Sequence, residues 1–231
     1  MSDSMTAKEL AAQKFEGITI AKPYGDLLGK IALEAISFIW GENSSGKSTL
    51  ALGIANALAD YGRIEYVPAE ENFGITLTKK INRIKAYNSN LHFRRYKGLK
   101  SLRKHLKNVK AKVVFVDSVS VLTANDSEVI EFAQWCRDED IGMWMIAHAN
   151  KDGTYKGNSK FGHEADIRIE VMADDNTAHS RKNRYDDTPR SIKVPFEVKG
   201  KKGQKSKGKG RKSKTDFDSQ MDDIEQMMQT A

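Results

Sequence analysis

Cysteine is nearly absent from this chain, because Cys136 is the single one among 231 residues. One thiol excludes an internal disulfide and any zinc site that is built from cysteine ligands. Cys136 stands between Trp135 and Arg137 in a stretch with helical spacing. We therefore predict that it is a packing residue and that it takes no part in chemistry.

Long apolar runs are also missing from the sequence. No stretch approaches the roughly 20 apolar residues that a membrane-spanning helix needs. Residues 1–5 lack the apolar region of a secretory leader. We therefore expect a cytoplasmic protein with no membrane partner. A length of 231 residues suits one domain, or one domain with tails.

Acids are missing from one segment of the chain. The formal net charge is +7, and much of it belongs to residues 199–214, where lysine, glycine and serine dominate and no acid occurs. An acidic stretch, 216–225, follows immediately. This composition predicts a disordered tail over 199–231. Its basic part would add salt-dependent affinity for phosphate backbones. Its acidic part would compete with nucleic acid for that basic part or dock on a replication or repair protein.

A nine-residue segment carries the most specific chemistry. Residues 41–49 read G-E-N-S-S-G-K-S-T, which is the G-x-x-x-x-G-K-[ST] pattern of a phosphate-binding loop. The backbone N–H groups of such a loop converge on an anion. Lys47 can reach the β- and γ-phosphates, and the Ser48 hydroxyl suits Mg²⁺. The predicted nucleotide-binding residues are Gly41, Glu42, Asn43, Ser44, Ser45, Gly46, Lys47, Ser48 and Thr49.

The flanks of this loop fit the same interpretation. Residues 35–40 form an apolar run of strand length, and helical spacing continues from Leu50 to Ala59. Strand, glycine-rich loop and helix is the order that a phosphate-binding loop requires. A Gly/Ser turn that binds nothing is the alternative.

Two predicted strands end in acids. The strand over 63–68 leads to Glu70, and the strand over 112–116 runs into Asp117. Chemistry gathers at the carboxyl ends of the strands in an open parallel sheet. We therefore predict that Glu70 orients an attacking water and that Asp117 holds Mg²⁺ opposite Ser48. The alternative for Glu70 is that it begins the next helix, where acids favour the helix dipole.

A third predicted strand, 142–147, ends at His148, which could sense the γ-phosphate or could be a satisfied structural histidine. The loop 149–162 follows, with glycines, positive charge and aromatic rings. These features suit the backbone and bases of a single nucleic-acid strand, although an ordinary surface loop is the alternative. The candidate DNA-binding residues are Lys151, Tyr155, Lys156 and Lys160.

The remaining sequence predicts strands and helices around a mostly parallel sheet. Residues 166–172 and 178–185 would pair as a C-terminal hairpin. Residues 191–198 would add a last strand, at an edge because of Pro195. Basic residues between 79 and 106 could contact nucleic acid or could form an ordinary solvated face. The other predicted elements are helices over 73–84, 99–106 and 125–139, an edge strand over 91–96 and a turn over 24–30.

These motifs resemble the ATPase core of the RecA/RadA superfamily, and bacterial RadA in particular. The most specific segments are H-A-N-K-D-G at 148–153, H-E-A-D at 163–166 and K-N-R-Y at 182–185. The resemblance implies an α/β, RecA-like P-loop NTPase. Such a protein has a mostly parallel central sheet flanked by helices, here with a C-terminal β-hairpin extension and a disordered tail. The implied N-terminal segment, core and tail are 1–24, 25–198 and 199–231.

The same resemblance implies roles for individual residues. The chain would use ATP and Mg²⁺, bind single-stranded DNA through 150–162, and act as a homo-oligomer, either a ring or a filament. His148 would be the γ-phosphate sensor. Lys182 and Arg184 would reach the γ-phosphate of a neighbouring subunit, and an exposed basic hairpin is the alternative. The implied function is DNA recombination or repair in a bacterial cell or a phage-infected host.

Departures from RadA leave other functions open. Bacterial RadA carries a four-cysteine zinc module, which one cysteine cannot form, and Tyr185-Asp186 replaces its Phe-Gly. A bare core with tails is similar to the small RecA-like recombinases of phages. The motor core of a DnaB-like helicase would use the same parts. A KaiC-like regulatory ATPase would use the fold without DNA. A small-molecule kinase would need a lid and a substrate pocket, for which the sequence gives no sign.

Overall fold

An eight-stranded sheet is the centre of the fold. The strand order is β3-β2-β4-β5-β1-β6-β7-β8, with the first six strands parallel and the last two antiparallel. The strands are β1 (Ile36–Gly41), β2 (Ile64–Pro68), β3 (Leu91–Phe93), β4 (Val113–Asp117), β5 (Gly142–His148), β6 (Ile167–Met172), β7 (Thr177–Asn183) and β8 (Arg190–Lys193). The computed structural model describes residues 4–12, 17–71, 73–123, 125–149, 162 and 164–195, which belong to one unit within 1–200.

Helices cover both faces of this sheet. Val113 and Phe115 of β4 pack in one apolar cluster, and Val114 and Val116 pack in another, because alternate side chains of a strand point to opposite faces. The first cluster includes residues of α2 and α3, and the second includes residues of α5 and α7. The described helices are α1 (Ala7–Ala12), α2 (Tyr24–Leu28), α3 (Lys47–Leu58), α4 (Ile75–Ile84), α5 (Leu99–Val109), α6 (Val119–Leu122) and α7 (Asp126–Asp138), with a 3₁₀ turn (Ala59–Tyr61) after α3.

Three buried aromatic rings tie the middle of the sheet together. Tyr66, Phe115 and Trp144 lie opposite one another on β2, β4 and β5. The ring centroids are 5.8 Å and 5.5 Å apart, and the interplanar angles are 11° and 9°, a spacing typical of offset stacking. These are the three strands that lead to the predicted acids and histidine, so the stack fixes the framework of the site.

The structure confirms most of the predicted elements and corrects two. The mostly parallel α/β sheet, the C-terminal hairpin and the edge positions of β3 and β8 are as predicted. The turn predicted over 24–30 is wrong, because Tyr24–Leu28 forms the short helix α2, which buries Leu27 and Leu28. The edge strand predicted over 91–96 is only three residues long. Buried Cys136 packs in the core as predicted, and burial raises the pKa of its thiol to about 12.

Several predictions lie outside the described residues. These are the DNA-binding residues Lys151, Tyr155, Lys156 and Lys160, the end of the last strand after residue 195, and the tail over 199–231. Within the described ranges, no helix is both long enough and apolar enough to cross a membrane.

Candidate nucleotide-binding site

The carboxyl ends of four neighbouring strands meet at one edge of the sheet. In the order β2-β4-β5-β1, Pro68 lies opposite Asp117, and Gly41 lies opposite His148. A cleft of about 660 Å³ opens at this edge. Most residues that the sequence predicts for phosphate, metal and water line it, whereas Gly41, Glu42 and Ser45 of the predicted loop do not. The predicted residues that line the cleft are Asn43, Ser44, Gly46, Lys47, Ser48, Thr49, Glu70, Asp117 and His148.

The phosphate-binding loop begins at the end of β1, where the backbone lies very close to β6. A Cβ atom at Gly41 would lie 2.1 Å from the Val171 carbonyl oxygen, so this position requires glycine. Gly46 has a φ of 99° immediately before α3, a left-handed conformation that glycine adopts without strain. The loop therefore delivers the N-terminus of α3 to the cleft, and that end of a helix favours anions.

Lys47 is held against the loop by hydrogen bonds. Its Nζ donates to the carbonyl oxygens of Gly41 at 3.0 Å and Glu42 at 2.6 Å. Burial lowers the pKa of Lys47, whereas the negative charges of Asp117, Glu70 and Glu42 raise it. The ammonium group is thus placed among acceptors at the mouth of the cleft, where a phosphate would exchange for the carbonyl oxygens.

Asp117 is a buried acid with 7% of its surface exposed. Its Oδ2 accepts a hydrogen bond from the Tyr66 hydroxyl at 3.0 Å. Burial raises the pKa of Asp117, although its interactions with Ser48 and Tyr66 lower it. No lysine or arginine of the described ranges lies within 4.0 Å of it.

Ser48 and Asp117 fit a magnesium ion. Mg²⁺ takes oxygen ligands, keeps several waters and usually binds one or two protein groups together with substrate phosphates. A hydroxyl and a carboxylate that line the same open cleft are such a set. The described residues contain no group of three or more His, Cys, Asp or Glu side chains that could hold a metal by themselves, so phosphate oxygens would have to complete the ligand shell.

Glu70 and His148 form a close pair across the cleft. Glu70 Oε1 lies 2.6 Å from His148 Nε2, and the Glu70 N–H donates to the Asp117 carbonyl oxygen at 3.1 Å. Because a carboxylate can only accept, His148 Nε2 carries the proton. The helix that follows begins at Ile75, so Glu70 lies outside its first turn. This position argues against the alternative that Glu70 merely starts that helix.

Comparisons with known proteins agree with this geometry. No protein-family model matches the chain. The DNA repair protein RadA of Streptococcus pyogenes serotype M1 is 23% identical over 150 residues, which are 60% of this chain and 33% of that protein. RadA of Aquifex aeolicus is 25% identical over 168 residues, 68% of this chain and 36% of that protein. The chain thus spans about a third of the length of these curated relatives.

Two solved structures share the fold. One is an isolated ATPase domain, which matches with a TM-score of 0.57 and 14% identity, over 70% of this chain and 81% of that one. The flagellar accessory protein FlaH from Methanocaldococcus jannaschii matches with a TM-score of 0.54 and 16% identity, over 68% and 82%. This chain contains a RecA/RadA-superfamily core. The RecA-like P-loop ATPase fold expected from the motifs is therefore confirmed.

In this RecA/RadA core, the predicted residues Lys182 and Arg184 lie away from the cleft. Asn183 lies opposite Ile167, which in turn lies opposite Ser37 near the start of β1. The phosphate-binding loop begins at the other end of β1, at Gly41. The structure therefore does not bring Lys182 and Arg184 to the nucleotide site of their own chain.

A buried carboxylate holds the K-N-R-Y segment in place. Asp166, which is 2% exposed, binds Arg184 Nη1 at 3.1 Å and Arg137 Nη1 at 3.0 Å. It also accepts from the backbone N–H of Ile36 at 2.9 Å. Arg184 nevertheless keeps half of its side chain exposed. Burial, together with repulsion from Arg184 and Arg168, lowers the pKa of Lys182 to about 8.

The structure also places residues in or beside the RecA/RadA cleft that were not predicted from the sequence. Tyr66 holds Asp117, and α4 contributes Lys80, which pairs with Glu71, and Arg83, whose Nη2 donates to Thr49 Oγ1 at 3.0 Å. A sequence signal existed for Tyr66. It stands two residues before the end of its strand, on a strand that pairs with the one carrying Asp117. No comparable sequence signal indicates that Lys80 and Arg83 of α4 line the cleft.

Proposed function

We propose that this chain is an ATP-dependent, single-stranded-DNA-binding ATPase of DNA recombination or repair that acts as a homo-oligomer. One observation carries the proposal. The cleft at the carboxyl ends of the strands contains groups for phosphate, metal and water. Lys182 and Arg184, the cations expected at the γ-phosphate, lie instead near the amino-terminal end of β6. The cleft holds Lys47, Lys80 and Arg83 of its own chain, and a second copy would add Lys182 and Arg184 at the γ-phosphate.

Hydrolysis at this cleft would proceed by in-line attack of a water on the γ-phosphorus. Lys47 would exchange its two carbonyl acceptors for phosphate oxygens, and Glu70 would hold the attacking water. The bond between the γ-phosphorus and the bridging oxygen would break, giving ADP and phosphate. Mg²⁺ held by Ser48 and Asp117 would neutralise charge on the β- and γ-phosphates. Charge stabilisation of this kind is the main contribution that such sites make.

Lys182 and Arg184 would complete the site of a neighbouring subunit. A cation supplied from another subunit stabilises the charge of the phosphoryl-transfer transition state. Asp166 binds the guanidinium of Arg184, while half of the Arg184 side chain stays exposed. A neighbour's γ-phosphate could therefore reach the arginine without displacing that carboxylate.

Binding of single-stranded DNA would occur at the loop over 150–162. The Ala149 N–H donates to the Gly41 carbonyl oxygen at 2.8 Å, so the residue before this loop is hydrogen-bonded to the phosphate-binding loop. His148, in contact with Glu70, stands beside it. Nucleotide binding would thereby order the loop, and hydrolysis would release the strand. The curated relatives named as DNA repair proteins support this choice of ligand.

The proposal is tested by ATP hydrolysis with and without single-stranded DNA. Wild type, Lys47→Ala and Arg184→Ala would be compared. We expect strong stimulation by DNA in the wild type and a loss of about 10²-fold or more in both variants, in line with the removal of one transition-state contact. Hydrolysis that is indifferent to DNA would contradict the DNA role. Intact hydrolysis in Arg184→Ala would contradict the shared site alone.

A DnaB-like helicase motor is a second candidate, because the structural match to a solved ATPase domain is equally consistent with it. It predicts ATP-dependent unwinding of a forked duplex, which the recombination proposal does not. A regulatory ATPase that uses the fold without DNA is a third candidate. It predicts hydrolysis without any response to DNA, so the same assay separates it from the other two.

A further inference from the structure

One continuous segment of the core has charge of a single sign. Residues 72–116 contain thirteen lysines and arginines and no aspartate or glutamate. This segment includes α4, β3, α5 and most of the buried strand β4. Because β3 is the edge strand at one end of the sheet order and the hairpin strands are at the other, these cations lie far from Lys182 and Arg184.

Helix α5 separates its apolar and basic residues cleanly. Leu99, Leu102 and Leu106 are buried against the second apolar cluster, so the opposite side of the helix faces solvent. The exposed lysines of that side recur every three or four residues, and eleven helical residues extend about 16 Å. They form a nearly straight row of charges. The exposed lysines on and beside the helix are Lys97, Lys100, Lys104, Lys107 and Lys110.

Most charges in this row are not neutralised by neighbouring acids. Lys107 pairs with Glu139 at 2.7 Å. In the part of the chain that the structure describes, the other four lysines have no carboxylate within 4.0 Å. We call these four the α5 lysine face: Lys97, Lys100, Lys104 and Lys110.

The other two ionisable side chains of α5, Arg103 and His105, already have inward partners. The Arg103 guanidinium lies over the rings of Phe132 and Trp135, 5.7 Å from each centroid. His105 Nε2 lies 3.2 Å from the buried carboxylate of Glu65. The α5 lysine face therefore contains lysines and no exposed arginine fork. A lysine acts as a point charge, which suits phosphate, whereas the base edges of DNA are read mainly by planar donors.

The lack of aromatic residues in α5 restricts the kinds of nucleic acid that this surface would bind. Residues 97–112 contain no Phe, Tyr or Trp, and the ring of the preceding Tyr96 already packs against His105 of α5, with ring centroids 5.5 Å apart. Surfaces that bind single strands usually stack bases on such rings, so this one offers little to an unpaired base. A duplex presents its phosphates outward in two fixed rows and needs no stacking partner.

We propose that the α5 lysine face binds the phosphate backbone of duplex nucleic acid, without sequence preference. This site is separate from the nucleotide cleft and contains no residue of 150–162, and it does not depend on the proposed function. If 150–162 binds a single strand, one molecule would hold a single strand and a duplex through different residues.

The test measures binding of the full chain to a mixed-sequence 30-base-pair DNA duplex over a range of salt concentrations. The triple variant Lys100→Gln/Lys104→Gln/Lys110→Gln should bind about tenfold more weakly. The slope of log K against log salt should fall by about 2 to 3, because each lost phosphate contact removes about 0.9. Acetylation protection, read by mass spectrometry, should show these lysines shielded by the duplex in the wild type.

A matched control separates the face from net charge. Lys8, Lys22 and Lys193 are exposed and lie outside α5, and Lys8→Gln/Lys22→Gln/Lys193→Gln removes the same charge. The control should keep the wild-type slope. An equal loss of duplex affinity in the control would overturn the proposal, as would wild-type affinity and slope in the α5 variant.

A loop variant distinguishes this site from the proposed single-strand site. In Lys151→Gln/Lys156→Gln/Lys160→Gln we expect duplex binding to persist and stimulation of hydrolysis by single-stranded DNA to fall. Loss of all duplex affinity in the loop variant would contradict the α5 lysine face. Unchanged stimulation would contradict the single-strand proposal and leave the α5 lysine face standing. Each proposal therefore fails on its own readout.

Discussion

Two buried carboxylates at opposite ends of the sheet have very different surroundings. Asp117 and Asp166 expose 7% and 2% of their surface. Asp166 binds Arg137, Arg184 and the backbone N–H of Ile36. Asp117 accepts a hydrogen bond from the Tyr66 hydroxyl, faces an open cleft, and has its pKa raised by burial.

The different surroundings indicate a structural role for Asp166 and a ligand-binding role for Asp117. A carboxylate that is buried without a cation destabilises the fold, and a protein keeps one where a ligand will supply the charge. A carboxylate fully paired with arginines instead joins the elements that carry those arginines. Asp166 joins β1, α7 and the end of β7 in this way, whereas Asp117 is placed to receive a metal and a nucleotide.

The largest expected effect is on catalysis at Asp117. Asp117→Asn should lower ATP hydrolysis by about 10²- to 10³-fold, because it weakens the site for the Mg²⁺ that would neutralise charge on the phosphates. The free energy of unfolding should stay the same or rise, because the buried charge is removed as well. Hydrolysis rates and urea unfolding measure the two quantities. A large loss of stability would show that Asp117 is a structural acid like Asp166.

The next largest effect is on stability at Asp166. Asp166→Asn should lower the free energy of unfolding by roughly 3 kcal/mol, because it leaves two neighbouring arginines without their carboxylate. Urea unfolding measures this loss. The control is Asp175→Asn, since Asp175 is exposed and its oxygen lies 4.0 Å from Lys193; a change of about 0.5 kcal/mol or less is expected there. Equal effects at both positions would mean that Asp166 is no more structural than a surface acid.

The smallest expected effect concerns the pH dependence that Lys182 contributes. Its pKa is about 8 in the folded chain, against an ordinary value of 10.5. Below pH 8 Lys182 is protonated in both the folded and the unfolded chain, and its positive charge destabilises the folded chain. Between these two values the unfolded chain holds more protons, so stability rises with pH.

Wild type should therefore gain stability relative to Lys182→Met between pH 7 and pH 9.5, as measured by urea unfolding. The absolute pH profile contains other groups, so the difference between the two proteins is the relevant quantity. A constant difference would mean that neither burial nor the neighbouring Arg184 and Arg168 lower the pKa of Lys182.

The sequence alone predicted the cleft better than the rest of the molecule. The phosphate-binding loop is a local motif, and apolar runs that end in Glu70, Asp117 and His148 mark strand ends. Asp166 binds Ile36, which is 130 positions away in the chain, and no local pattern encodes such a partner. Helix α2 is too short to show a period. The roles of Lys182 and Arg184 stay a prediction, since they concern a contact between copies.

Sharing of each nucleotide site between two copies of the chain is the central proposal. The most direct test mixes Lys47→Ala with Arg184→Ala and measures DNA-stimulated ATP hydrolysis. Either variant alone should be inactive. In the mixture, about one interface in four would combine an intact Lys47 with an intact Arg184, so activity should return to roughly that fraction of wild type. No recovery on mixing, under conditions where the two variants assemble together, would contradict the shared site.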